Sequence, residues 1–167
     1  AGTANSGLWK STDKGLNWTN VTKGMLLGQV VSVEIDINDA NTVYFGAAGD
    51  LFKTEDGGST WNSVGDATFT ALSHDIVDIV MHPMNAQVLY VISDEGLWRS
   101  TNAGAGFTQV QSGNWQELEF KPNDPSSVYA VKQTSNRTEF WRSTSNGVSF
   151  SQVGVGWPLP VAPDEQK

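Results

Sequence analysis

Apolar and polar positions alternate in short runs along most of this chain, and turn-forming clusters separate the runs. Val31, Val33, Ile35 and Ile37 are apolar at every second position, the period of a strand with one buried face. The pattern predicts strands at 30–37, 42–48, 51–54 and 61–64. It predicts a second set at 76–81, 88–93, 97–101 and 107–111, and a third at 115–120, 128–132, 140–144 and 150–153. A shorter hairpin, 8–22, precedes them, and residues 1–7 read as a loose lead-in. Long amphipathic helical patterns do not occur, so the expected class is all-β.

The strands are organised by a stretch that occurs four times: GLWKSTDKGLNW at 7–18, DLFKTEDGGSTW at 50–61, GLWRSTNAGAGF at 96–107 and EFWRSTSNGVSF at 139–150. Aligned, the copies share a basic residue (Lys10, Lys53, Arg99, Arg142) and a hydroxyl residue (Ser11, Thr54, Ser100, Ser143). A turn acceptor follows (Asp13, Asp56, Asn102, Ser145), then a glycine (Gly15, Gly58, Gly104, Gly147) and a closing aromatic (Trp18, Trp61, Phe107, Phe150). The glycines lie 43, 46 and 43 residues apart, a period that marks a propeller blade or a solenoid turn. Asp, Asn or Ser can accept backbone N–H groups and close such a turn. Glycine supplies the positive φ, and the closing aromatic offers apolar surface to pack between units. Asp13 and Asp56 are thus expected to hold turns together. An independent registration agrees: Tyr44, Tyr90 and Tyr129 fall at the same place in the three second strands.

This S/T-x-D-x-G-x-x-W pattern resembles the Asp-box, or BNR repeat, of β-propellers, including sortilin-type and xyloglucanase- or sialidase-like members. The resemblance implies four-stranded antiparallel blades, with the box in the turn between third and fourth strands and away from the functional centre. Copies three and four depart from it at Asn102, Ser145, Phe107 and Phe150. Read as blades, residues 1–28 are a half blade, 29–66, 75–112 and 114–154 are full blades, and 155–167, with three prolines, is a connecting tail. About three and a half blades cannot close a ring of the usual four to eight. The expectation is a piece of a larger propeller, completed by further polypeptide, a companion chain or a second copy.

Composition narrows the function. The 167 residues carry a formal net charge of −8 with acidic and basic residues mixed, which argues against nucleic acid or an anionic membrane as partner. There is no cysteine, hence no disulfide framework and no thiolate metal site. No apolar run approaches the ~20 residues of a membrane span. His74 and His82 are the only histidines and form no ligand motif, so neither metal nor cofactor is expected. His82 lies in a repeated turn and reads as structural.

By the same resemblance, the ligand-facing loops join fourth to first and second to third strands. They hold the binding candidates Asp50, His74, Asp75, Asp94, Glu95, Trp115, Arg137 and Trp157, with Asp66 and Phe69 nearby. Carboxylates beside exposed rings suit sugars, because rings stack on apolar sugar faces and carboxylates bind hydroxyls or do acid–base work. A sialidase needs three arginines converging on a carboxylate. Arg99 and Arg142 occupy the repeat's own basic position, which leaves Arg137 alone. Xyloglucan-cleaving enzymes built from two such propellers use acidic residues from both, and their catalytic segment is not recognisable here. Sortilin-type receptors bind peptides but continue into cysteine-rich modules. Asn17, Asn20 and Asn136 head N-glycosylation triplets, a weak signal by itself. The expected function is a secreted or cell-surface module binding glycans or protein segments within a larger protein. The alternative is a fragment of a glycoside hydrolase of the xyloglucanase kind. No catalytic residue is assigned.

Overall fold

A computed structural model describes residues 1–25, 29–47, 49–64 and 76–154. They form three four-stranded antiparallel sheets and one two-stranded hairpin. The hairpin pairs β1 (Trp9–Lys10) with β2 (Thr19–Asn20). The first sheet runs β3 (Val30–Ile35), β4 (Val43–Ala47), β5 (Asp50–Thr54) and β6 (Asn62–Ser63). The second runs β7 (Ile76–Met81), β8 (Leu89–Ser93), β9 (Gly96–Ser100) and β10 (Thr108–Ser112). The third runs β11 (Asn114–Lys121), β12 (Asp124–Gln133), β13 (Thr138–Ser143) and β14 (Ser151–Val153). Each strand pairs with its neighbour in sequence, and the first strands β3, β7 and β11 lie side by side. The architecture is an open array of propeller blades.

Local chemistry sets the turns. Asp36 accepts the amide of Asn38 at 2.8 Å and Asp39 that of Asn41 at 3.0 Å, closing β3 onto β4. In the third sheet Asn123 takes φ 62°, the left-handed region that Asn tolerates. The hairpin there is consequently tight: Lys121 pairs directly with Asp124, and their side chains meet at 3.0 Å. Strand β12 therefore starts at Asp124, several residues before the expected 128.

The four repeated turns share one hydrogen-bond pattern. The Ser11 hydroxyl donates to Asp13 and accepts the amides of Asp13 and Gly15, the last at 2.8 Å. Thr54 does the same with Asp56 and Gly58, and Ser100 with Asn102 and Gly104. Ser143 accepts the amides of Ser145 and Gly147 and shares a proton with the Ser145 hydroxyl. Asp13 also accepts the amide and side-chain N–H of Asn17, and Asp56 the amide and hydroxyl of Thr60. These bonds favour the ionised carboxylates and hold Asp13 down at about 2 and Asp56 further below the ordinary range. The residue before each glycine is also left-handed, at φ 61° for Lys14, 71° for Gly57, 53° for Ala103 and 52° for Asn146. Each turn thus carries two consecutive left-handed residues.

The core lies between sheets. One cluster joins Tyr44 and Leu51 of the first sheet to Ile76, Ile79, Met81 and Leu89 of the second. Another joins Tyr90, Ile92 and Leu97 to Trp115, Leu118, Val128 and Phe150 of the third. A middle sheet is covered on both faces, which is why every residue of β8 is buried and its sequence does not alternate. The closing aromatics follow from position: Phe150 is buried, Trp61 and Phe107 are partly covered, and Trp18, on the first hairpin, is 48% exposed.

Residues 1–3 are not loose. Gly2 bridges to Leu8, and the Ala1 nitrogen and carbonyl exchange bonds with Trp9 at 2.8 and 2.9 Å. Thr3 accepts the Val30 amide at 3.1 Å. This places residues 1–3 alongside β1, on the side where a second strand lies in the other sheets.

Candidate functional site

The repeated turns and the first-to-second-strand turns lie at one end of the sheets. The opposite end is formed by the starts of the first strands and by the second-to-third-strand turns, as the registers of Val30 with Ala47, Ile76 with Ser93 and Asn114 with Gln133 require. Asp50, Asp94, Glu95 and Arg137 all fall at this second end. His74, Asp75 and Trp157, with Asp66 and Phe69, lie outside the described residues.

Asp50 is partly buried and turns its carboxylate back on the Leu51 amide at 2.7 Å. Asp94 and Glu95 occupy the β8–β9 turn and are exposed. Their backbone is pinned from below: the Ser93 hydroxyl accepts the amides of Glu95 at 3.3 Å and Gly96 at 3.1 Å, and the Glu95 carbonyl accepts the Gly113 amide at 2.9 Å. The turn that carries the two carboxylates is thus tied by hydrogen bonds of its own backbone. Arg137 is engaged by Glu139, with guanidinium nitrogens at 3.0 and 3.1 Å from one carboxylate oxygen.

Trp115 does not fit the expected role. It is 0% exposed, packed edge-on against Trp141 at 5.7 Å and beside Phe150. Lys132 caps it, with its ammonium 5.5 Å from the Trp115 ring and 5.7 Å from that of Trp141. A ring enclosed this way presents no face to a sugar. Strand β11 bulges between Trp115 and Glu117, and the indole at the start of this expected strand packs inward rather than joining the ligand-facing loop before it. Its Nε1 finds no acceptor among the described residues.

A second set of polar groups was not singled out from the sequence. Registers against the second strands place Ser32, Asp78 and Glu117 at equivalent positions on the first strands, and likewise Glu34, Val80 and Glu119. These strands lie side by side, so polar groups of neighbouring first strands come together, with Val80 as an apolar member of the second row. Ser32 donates to Asp78 at 2.8 Å, and Glu34 accepts the Met81 amide at 2.9 Å. Partial burial pushes the Glu34 carboxyl up, and the carboxylates of Asp78 and Glu119 add to the rise. The available signal was charge at repeated offsets in apolar strands. It was masked because a bulge in each first strand shifts the count by one residue. Among the described residues no group of three or more carboxylate or imidazole side chains is placed to hold a metal ion.

No protein-family profile matches the chain. It is 27% identical over 159 residues to a xyloglucanase from Hypocrea jecorina, covering 90% of this chain and 18% of that protein. It is 40% identical over 70 residues to a probable oligoxyloglucan-reducing end-specific xyloglucanase from Neosartorya fischeri, covering 38% of this chain and 8% of that one. Among solved structures it superposes on a GH74 xyloglucanase from Xanthomonas campestris with a TM-score of 0.74 and 18% identity, over 92% of this chain and 28% of that chain. The chain spans less than a fifth of the length of these curated relatives, and the structural likeness is one of fold.

Proposed function

We propose that this chain is a segment of an Asp-box propeller in a secreted glycoside hydrolase of the xyloglucanase kind, and that it supplies part of a surface holding a polysaccharide. The observation that carries this reading is the similarity to a xyloglucanase through 90% of the chain. Of the two readings the sequence allowed, it supports the hydrolase fragment above a free-standing binding module. The further blades then belong to the same protein, in keeping with the small share of each relative that this chain covers.

The chemistry of the loop end supports the same reading. Glycosidic bond cleavage uses two carboxyl groups flanking the bond, and an ionised carboxylate can accept hydrogen bonds from glycan hydroxyls. Asp94 and Glu95 are exposed on a turn fixed by Ser93. They are the first choice for such contacts, with Asp50 on the adjacent blade. His74, Asp75 and Trp157 remain candidates at the same end by chain order, and Arg137 a weaker one because Glu139 engages it.

Titration of the chain with xyloglucan oligosaccharides, followed by NMR, tests this. Shifts are expected at 94–96 and around Asp50, with loss of binding in an Asp94→Asn/Glu95→Gln variant and retention in Asp56→Asn. Shifts confined to the repeated-turn end would reverse the assignment of ends. Equal binding of a sialylated or peptide ligand would return the reading to a general binding module.

A further inference from the structure

Three Asn-X-Thr triplets, headed by Asn17, Asn20 and Asn136, meet different surroundings in the fold. The Asn17 side-chain nitrogen donates to the Asp13 carboxylate at 2.6 Å, inside the first repeated turn. The Asn20 nitrogen donates to the Ser6 carbonyl at 2.6 Å, and its oxygen accepts both the amide and the hydroxyl of Thr22. That hydroxyl belongs to a buried residue and accepts the Leu8 amide at 2.9 Å. In both triplets the nitrogen that would carry a sugar already takes part in the bonding of the first hairpin.

Asn136 is placed otherwise. It stands at the tip of the β12–β13 hairpin, exposed together with Ser135, Arg137 and Thr138. The residues on either side close the tip: the Thr134 amide and hydroxyl each donate to the Arg137 carbonyl at 2.9 Å, and the Arg137 amide donates to the Thr134 hydroxyl at 3.2 Å. The Asn136 side chain takes no part in this and has no hydrogen-bond partner among the described residues. The hairpin is also long. Tyr90 faces Arg99 and Tyr129 faces Arg142, so residues 91–98 complete one hairpin and 130–141 the other. The longer one has room for two further residue pairs, which carry its tip about 7 Å beyond the level of the β8–β9 turn. The second sheet is covered on both faces, yet Asp94 and Glu95 on its shorter turn remain exposed. A blade packed on the third sheet would therefore leave Asn136 in solvent.

We propose that Asn136 is the N-glycan acceptor of this chain and that Asn17 and Asn20 stay bare in the folded protein. The proposal rests on the reading of the chain as part of a secreted protein. The Asn-X-Thr triplet is an acceptor signal for glycosylation in secreted proteins, and a bulky, solvated glycan needs a surface position. The donor is an oligosaccharide held on a lipid diphosphate. Asn136 Nδ2 attacks C1 of its first sugar, and the N–C1 bond forms as the bond from C1 to the phosphate oxygen breaks. The electron pair of that bond leaves with the lipid diphosphate, and one amide proton passes to the transferring enzyme.

The test is to secrete the full chain from a eukaryotic host and map the carriers by peptide mass after enzymatic release of the glycan, which converts its carrier asparagine to aspartate. Asn136 is expected as the carrier, with Asn17 and Asn20 unmodified. Asn136→Gln and Thr138→Ala are each expected to remove the glycan and to melt at the temperature of the enzymatically deglycosylated native sequence. A glycan on Asn17 or Asn20, or a bare Asn136, would overturn the proposal. The host's own signal carries the chain into the pathway, so these outcomes bear on the acceptor and not on where the native protein resides.

Discussion

The hydroxyl of Tyr44 donates to the carbonyl of Ala103 across a blade junction, at 3.0 Å. It ties the second strand of one sheet to the repeated turn of the next, and Tyr90 repeats the bond with Asn146. Removing the hydroxyl leaves a carbonyl short of a partner in a partly buried setting. Tyr44→Phe is expected to cost about 1–2 kcal/mol. Tyr129→Phe, where the ring is 43% exposed, should stay within about 0.5 kcal/mol. Urea denaturation of the two variants checks the contrast, and equal losses would show that the junction bond is not the cause.

The turn glycines are not equivalent. All are left-handed, but a Cβ on Gly147 would sit 2.6–2.8 Å from the Tyr90 phenol, whereas one on Gly15 would meet nothing closer than Trp18 at 3.8 Å. Gly15→Ala carries the backbone penalty alone, about 1–2 kcal/mol. Gly147→Ala adds overpacking of about 1–3 kcal/mol. Melting of the pair should rank them clearly.

The turn carboxylates set an acid limit. Asp13 is held down at about 2 and Asp56 below that, by hydrogen bonds from Asn17 and Thr60. A depressed folded-state value contributes stability above the unfolded value near 3.8, and that stability is lost as the pH falls through the folded one. The melting temperature of the native chain should therefore fall between pH 4 and about 2. The fall should be shallower in Asp13→Asn/Asp56→Asn, which starts lower at pH 7.

Glu34 has the opposite sign. Its value is raised by burial and by Asp78 and Glu119, so its ionised form opposes folding above the folded-state value and the penalty is relieved in acid. Glu34→Gln keeps an acceptor for the Met81 amide and removes the charge. It should raise the melting temperature slightly at pH 7, with the gain gone below pH 4. A loss at pH 7 would mean that the charge itself is needed for the Met81 bond.

The sequence by itself determined the all-β class, the period and the chemistry of the turns. These depend on contacts within a few residues of each other, such as Ser11 with Asp13 and Gly15, and local spacing survives any arrangement of the blades. It also marked Tyr44, Tyr90 and Tyr129 as equivalent without showing why. Only the packing of one blade on the next supplies the carbonyl that each hydroxyl needs and the ring space that excludes a side chain at Gly147. The candidate site divided in the same way. Asp50, Asp94, Glu95 and Arg137 reached one end because turn order alone puts them there. Trp115 was lost to the core, and Glu34, Asp78 and Glu119 came together on neighbouring first strands that each carry a bulge. A bulge breaks the phase of the alternation by one residue, and only the pairing with the second strand shows where the break falls.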